Sequence, residues 1–268
     1  MMEMPLENTG YSAKPWSNGM VNLFRRETKR WWKTKRWFIQ VVLWTVILDG
    51  LLVFALFVLP SMAKSDGVSI TQAGVLEAGI QMFYSVATIG FSIAAIIFLQ
   101  DTVVEEKISG TAEWVLSKPV SRSAFLLSKL GAALIHMVLT MLIVPGIIGF
   151  FLFRAFDPAA VSLASYLAGV GVVLLHLLFY STLTLLLGVL FSSRPPVLGI
   201  ALGSLFGGFL IPLEEVVQFT PWKLGNIALL IAADKPLPTA APTMLISTAL
   251  WALLFLALAL PLFQRSDL

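Results

Sequence analysis

The chain has 268 residues, of which 58% are hydrophobic and only 12% are charged, with a net charge of +3. Charged residues make up about 25% of soluble globular domains, so this composition excludes a soluble protein and indicates one that crosses a membrane. The sequence contains no cysteine, which excludes disulfide bonds and thiolate chemistry.

The first 38 residues divide into two parts. Residues 1–19 are polar and rich in turn-forming residues, and we expect a flexible cytoplasmic tail. Residues 20–38 place Trp and Phe side chains on one face of a helical wheel and Lys and Arg on the other, with Lys35 and Trp37 as exceptions. This pattern predicts an amphipathic helix in the headgroup layer or, alternatively, a basic anchor beside the first span. Nucleic acid is not an expected partner.

Six long apolar runs predict six transmembrane helices, which we name spans one to six. They cover residues 39–60, 79–100, 128–153, 164–191, 197–213 and 242–263. Of the 18 Lys and Arg residues, only Lys64, Arg154, Lys223 and Lys235 fall on the side opposite the two termini. Positive residues accumulate on the cytoplasmic side, so both termini are predicted to be cytoplasmic. The predicted fold class is therefore an all-α, polytopic membrane protein, N-in and C-in.

Proline and glycine mark several features of the predicted spans. Pro145 predicts a kink in span three, and the tandem prolines at residues 195–196 predict a short turn before span five. Gly199, Gly203 and Gly207 recur at four-residue spacing in span five. Small residues so placed favour close helix packing, either within the bundle or at a dimer seam.

Between spans five and six, residues 214–241 are predicted to lie outside the membrane. They include a ten-residue apolar stretch that is too short to span, so we expect a re-entrant or interfacial helix there. The pair Glu214-Glu215 is similar to the start of the EExxxR motif of intramembrane metalloproteases, but residue 219 is Phe. We interpret the pair as a solvated acidic pair.

The sequence does not predict a catalytic, cofactor or metal site. Two histidines without cysteine make a metal site of ordinary ligand number hard to assemble. The dipeptide Gly-Lys never occurs, so the chain has no P-loop for a nucleotide. We therefore expect that the chain is not an enzyme, and that any ATP that drives it is bound by a partner.

Three ionisable residues fall within predicted spans: Asp49, His136 and His176. Such side chains are costly in a bilayer and face the bundle interior. They either line a transport pathway or form structural hydrogen bonds, and the sequence leaves both possibilities open.

The segment between spans two and three, residues 101–127, is longer than a simple hairpin requires. Span two continues past the membrane to Gly110, and a short amphipathic helix over 111–117 follows before Pro119. Ser121 is placed to cap the helix that runs into span three. This order of elements is typical of a docking element, although a solvated loop is the alternative.

This segment resembles the type-2, exporter-like family of ATP-binding-cassette (ABC) permeases, whose members read approximately E-x-x-x-G-T-x-x-x-x-L-x-x-P-[VL]-S-R with a later Lys. The matching residues are Glu106, Gly110, Thr111, Leu116, Pro119, Val120, Ser121, Arg122 and Lys129. The basic segment 20–38 corresponds to the family's "elbow" helix, and the likeness extends through all six spans. The chain departs from the pattern at Ser128, where many members have Gly, and in its Trp-rich elbow.

The resemblance implies a permease domain over residues 20–268 that pairs with itself or a related permease, each bound to a separate cytoplasmic ATPase. Residues 111–117 would be the coupling helix that seats on this ATPase, and the partner would bind ATP and Mg²⁺. The residues implied in coupling are Glu106, Gly110, Thr111, Glu113, Trp114, Val115, Leu116, Lys118, Pro119 and Arg122.

We therefore expect an ATP-driven permease subunit in the plasma membrane, which in a prokaryote is the inner or cell membrane. Its partners are the lipid bilayer, the ATPase and a second permease subunit. The alternative is an ATP-independent channel or ion-coupled carrier that uses Asp49, His136 and His176.

Overall fold

The structure is a computed structural model that describes residues 19–67, 70–109, 120–210 and 214–265. Every regular element within these residues is a helix, which confirms the predicted all-α class. The predicted coupling helix, residues 111–117, lies outside the described residues, and so does nearly all of the predicted tail, residues 1–19.

Five described helices are long and apolar enough to cross a membrane. They are span one (Arg36–Ser65), span two (Gln72–Glu105), span three (Arg122–Phe156), span four (Leu163–Leu190) and span six (Ala241–Arg265). Span five is the helix Arg194–Leu210, whose 17 residues extend about 25 Å at 1.5 Å per residue. Most of these helices are longer than the predicted apolar runs, because helical turns continue past the apolar part at one or both ends.

Span four is the most buried of these long helices. It packs chiefly against spans two and six, and against a short helix, Leu224–Ala232, which we name the outer helix. Its Ser181, Thr182 and Thr184 hydroxyls donate to carbonyls one turn earlier in the same helix. Polar side chains thereby stay satisfied inside an apolar bundle.

Two spans contain a π-helical segment that ends two residues before a proline. Span one has Phe54–Val58 before Pro60, and span three has Val138–Ile143 before Pro145. A proline ring clashes with the carbonyl four residues earlier, and the wider π turn makes room for the ring. The helix therefore continues through each proline, and span one does not end at Pro60 as predicted but runs to Ser65.

The elbow helix is Met20–Trp32, and it is separate from span one. A turn at residues 33–35 interrupts the helix, which explains why Lys35 and Trp37 do not fit the pattern of a continuous helix over 20–38. The elbow helix packs on the first half of span three, with Leu23 buried and the Phe24 ring beside Gly131. Part of the apolar face predicted to lie in the headgroup layer is thus covered by protein.

The outer helix lies against spans two and four at the end of the bundle predicted to be extracellular. Its inward side chains, Leu224, Ile227 and Ala228, are buried, and it has nine residues. The chain approaches span four so closely here that a Cβ atom at Gly169 would lie 2.9 Å from the Ala228 carbonyl oxygen and 2.8 Å from the Tyr84 ring.

We expect Gly169→Ala to lower the free energy of unfolding by about 1–3 kcal/mol, because the added methyl group overpacks this contact. Gly171→Ala is the matched control in the same helix, since no other described element comes within 4 Å of its added Cβ. The control variant is expected to be neutral or more stable by up to about 1 kcal/mol. Unfolding of the purified protein in detergent measures both, and equal effects would contradict the packing described.

The predicted orientation can be tested with single cysteines, because the chain has none of its own. Ser65 and Ser192 are exposed, at the outer end of span one and in the turn between spans four and five. We expect a membrane-impermeant maleimide to label Ser65→Cys in intact cells and to label Ser192→Cys only after permeabilisation. The reverse pattern would contradict the N-in, C-in orientation.

Candidate functional site

The candidate site is the basic end of the bundle, where spans two and three leave the membrane on either side of the predicted coupling helix. Of the ten predicted coupling residues, eight lie outside the described residues: Gly110, Thr111, Glu113, Trp114, Val115, Leu116, Lys118 and Pro119. Glu106 belongs to the helical turn that continues span two to Ile108, and Arg122 begins span three. The structure therefore describes the helix ends on both sides of the segment, which we name the span two flank and the span three flank.

Ion pairs and a hydrogen bond attach the span two flank to spans four and five. Arg194, at the start of span five, pairs with Asp101 at 3.0 Å and with Glu105. Lys107, in the turn beyond span two, donates to the Val189 carbonyl at 2.6 Å, and partial burial lowers the pKa of this lysine. Val189 lies in the last turn of span four, where carbonyls have no helical partner and a cation is favourable.

Hydrogen bonds attach the span three flank to the end of span six. The Ser121 hydroxyl accepts from the Ala124 amide at 3.1 Å, which confirms its predicted place as helix cap. Arg122 donates to the carbonyls of Phe263 and Gln264 at 3.3 and 3.0 Å, again in the last turn of a helix. Arg122 was predicted to contact the ATPase, and these two hydrogen bonds also give it a role inside the chain.

A second ion pair fastens span three to the elbow helix. Lys129, with 6% of its side chain exposed, lies 3.3 Å from Glu27, and its ammonium group is 5.1 Å from the Phe125 ring centre. Two turns deeper, Trp31 stacks on His136 with ring centres 4.8 Å apart. The elbow helix and span three therefore form one packed unit.

The sequence interpretation did not assign Glu27 or Arg194 to the site. A signal for Glu27 was present, since it is the only acidic residue among the many cations of residues 20–38. Arg194 is likewise the only charged residue between spans four and five. A single acidic residue among many cations, or a single cation in a short turn, indicates an ion pair. Only the fold identifies the partner.

The three ionisable residues within spans lie in different places. His176 shares a 2.7 Å hydrogen bond with Ser92 of span two, whereas His136 lies under Trp31. Asp49 is 4% exposed, lies beside Gly149 of span three, and neither of its carboxylate oxygens has a hydrogen-bond partner among the described residues. No hydrogen bond, ion pair or ring contact of the described residues joins any two of the three.

The three glycines at four-residue spacing in span five have two different environments. Gly207 packs against Trp222, so a Cβ there would lie 3.0 Å from its ring. Gly199 and Gly203 are exposed, and no described atom lies within 4 Å of a Cβ added to either. Of these three glycines, only Gly207 shows the predicted close packing against other described residues.

A cavity of about 700 Å³ lies at the outer end between spans five and six. Its wall is largely aromatic and includes Phe179, Phe219, Trp222, Trp251 and Phe255. Among the described residues, no group of three or more His, Cys, Asp or Glu side chains is arranged to hold a metal ion.

One family model matches the chain. It is described as "ABC-2 family transporter protein" and covers residues 61–263, from the end of span one to the last turns of span six. The match includes both flanks of the candidate site. No individual curated protein matches the sequence.

The ion pair between partly exposed Glu27 and buried Lys129 leads to a prediction about stability. We expect Glu27→Gln to lower the free energy of unfolding by about 1–3 kcal/mol, because it removes the carboxylate from a buried ammonium group. Adding Lys129→Met is expected to restore at least half of this loss, since no buried charge then remains.

The control is Glu77→Gln, which breaks an ion pair with Lys235 whose two side chains are both exposed. Its expected cost is below about 1 kcal/mol. Unfolding in detergent compares the variants, and a Glu27→Gln effect no larger than that of Glu77→Gln would contradict the role given to the pair.

Proposed function

This chain belongs to the ABC-2 transporter family and is a membrane permease of an ABC transporter, and from that premise we propose that ATP hydrolysis on a separate cytoplasmic subunit drives it. In this proposal the ATPase docks on the segment between spans two and three. The partner binds ATP and Mg²⁺, because the permease sequence has no P-loop.

The observation that carries the proposal is that both flanks of this segment are attached to other helices by hydrogen bonds and ion pairs. The span two flank is tied to spans four and five through Lys107 and Arg194. The span three flank is tied to span six through Arg122 and to the elbow helix through Lys129. A displacement of residues 110–119 would therefore act on spans four, five and six and on the elbow helix, and not on spans two and three alone.

The attachment of both flanks to neighbouring helices indicates how the cycle proceeds. ATP-driven closure of the ATPase pushes on the docked segment and tilts spans two and three together with the helices attached to their ends. The permease then changes from inward-facing to outward-facing. Trp114, Val115 and Leu116 would anchor the contact, while Glu113 and Lys118 set its orientation, since charges act more on association than on affinity.

A second permease subunit is part of the proposed assembly. The exposed face with Gly199 and Gly203 lets another helix approach closely, because no side chain of the described residues covers it. We place the second subunit along this face of span five.

The alternative function is an ATP-independent channel or carrier that uses Asp49, His136 and His176. Buried Asp49, whose carboxylate has no hydrogen-bond partner among the described residues, favours this alternative, whereas the lack of described contacts among the three residues does not. Transport that persists in vesicles without any ATPase would identify the alternative as correct.

The docking proposal predicts that Trp114→Ala abolishes co-purification of the ATPase, because a buried aromatic anchor supplies much of the binding energy of such an interface. Loss of affinity by at least about tenfold is expected in a pull-down from detergent extracts. The matched control is Trp251→Ala, the same truncation at the opposite end of the bundle. Unchanged ATPase recovery with folded Trp114→Ala protein would show that the segment is a plain loop.

A further inference from the structure

A cleft of about 840 Å³ opens at the basic end of the bundle, between the elbow helix and spans two and three. This volume is within the range of small-molecule sites. Its wall includes Asp101, Thr102, Glu105 and Ser109, from the start of segment 101–127, whereas the predicted coupling helix, residues 111–117, lies outside the described residues.

The wall of the cleft changes from charged to apolar with depth. Glu105 and Lys129 lie near the helix ends, whereas Phe98 and Met137 lie seven and eight residues deeper along the same helices. At 1.5 Å per residue this places them about 10–12 Å further into the membrane. The cleft therefore suits a molecule with a polar head and an apolar body.

The charge left uncompensated in the cleft is positive. All three carboxylates in its wall are paired, Glu27 with Lys129, and Asp101 and Glu105 with Arg194. Arg30 and Arg36 also line the cleft, and neither forms an ion pair with any described residue. Arginine binds phosphate oxygens with paired, charge-assisted hydrogen bonds, so these two residues are suited to an anionic phosphate group.

We propose that this cleft binds an acidic phospholipid of the cytoplasmic leaflet, with its phosphate between Arg30 and Arg36 and an acyl chain along Phe98 and Met137. The bound lipid joins the elbow helix to span two, two elements that meet across the cleft. The proposal rests on the cleft alone and not on the proposed docking of an ATPase.

The test is native mass spectrometry of the purified full-length permease with phosphatidylglycerol and with phosphatidylcholine of the same acyl chains. We expect phosphatidylglycerol to bind preferentially and the double variant Arg30→Gln/Arg36→Gln to weaken its binding about thirtyfold, which corresponds to about 1 kcal/mol for each of the two basic residues near an anionic headgroup. The matched control is Arg25→Gln/Arg26→Gln, which removes the same charge from exposed positions of the elbow helix outside the cleft. Less than a twofold change is expected for it.

A second variant tests the apolar part of the site without changing its charge. Ala133 lines the cleft, and Ala133→Phe is expected to weaken phosphatidylglycerol binding by filling the space needed by the acyl chain. Equal losses in the two arginine double variants, or equal binding of the two lipids, would overturn the proposal. Binding of inorganic phosphate at the same affinity as the lipid would identify a soluble anion as the ligand and would also overturn it.

Discussion

The fold depends on one constraint, that backbone polar groups inside a bilayer must find partners within the protein. Continuous helices meet it in the spans, and the two prolines at Pro60 and Pro145 are accommodated by π-helical turns that keep the chain helical. The constraint is most demanding at helix ends, where the last carbonyls have no helical partner. In this molecule cations from other helices donate to them, Lys107 at the end of span four and Arg122 at the end of span six.

These end contacts connect stability to the proposed mechanism. They occupy the two flanks of the segment on which an ATPase would act, so the residues that complete the helix ends also join the flanks to their neighbours. The elbow helix belongs to the same arrangement through Glu27 and Lys129. In the proposed mechanism, a force applied to the docked segment would pass to the rest of the permease through these helix ends.

Much of the fold could be predicted from the sequence because its signals are local. Apolar runs identify the spans, tandem prolines identify the turn before span five, and Ser121 is recognised as a cap by its position before an apolar helix. The break at residues 33–35 and the partners of Glu27 and Arg194 could not be predicted, because they depend on which helices become neighbours. The environment of the three glycines at four-residue spacing in span five also depends on the fold, since Trp222, which follows span five, packs on Gly207, while no described residue packs on Gly199 or Gly203.

The fastenings of the two flanks differ in their exposure, and this gives them different responses to ionic strength. Arg194, Asp101 and Glu105 are all about half exposed, so dissolved salt weakens their attraction. Lys129 is buried beside Glu27 and is screened far less. High salt therefore weakens the attachment of span two to span five more than the attachment of the elbow helix to span three.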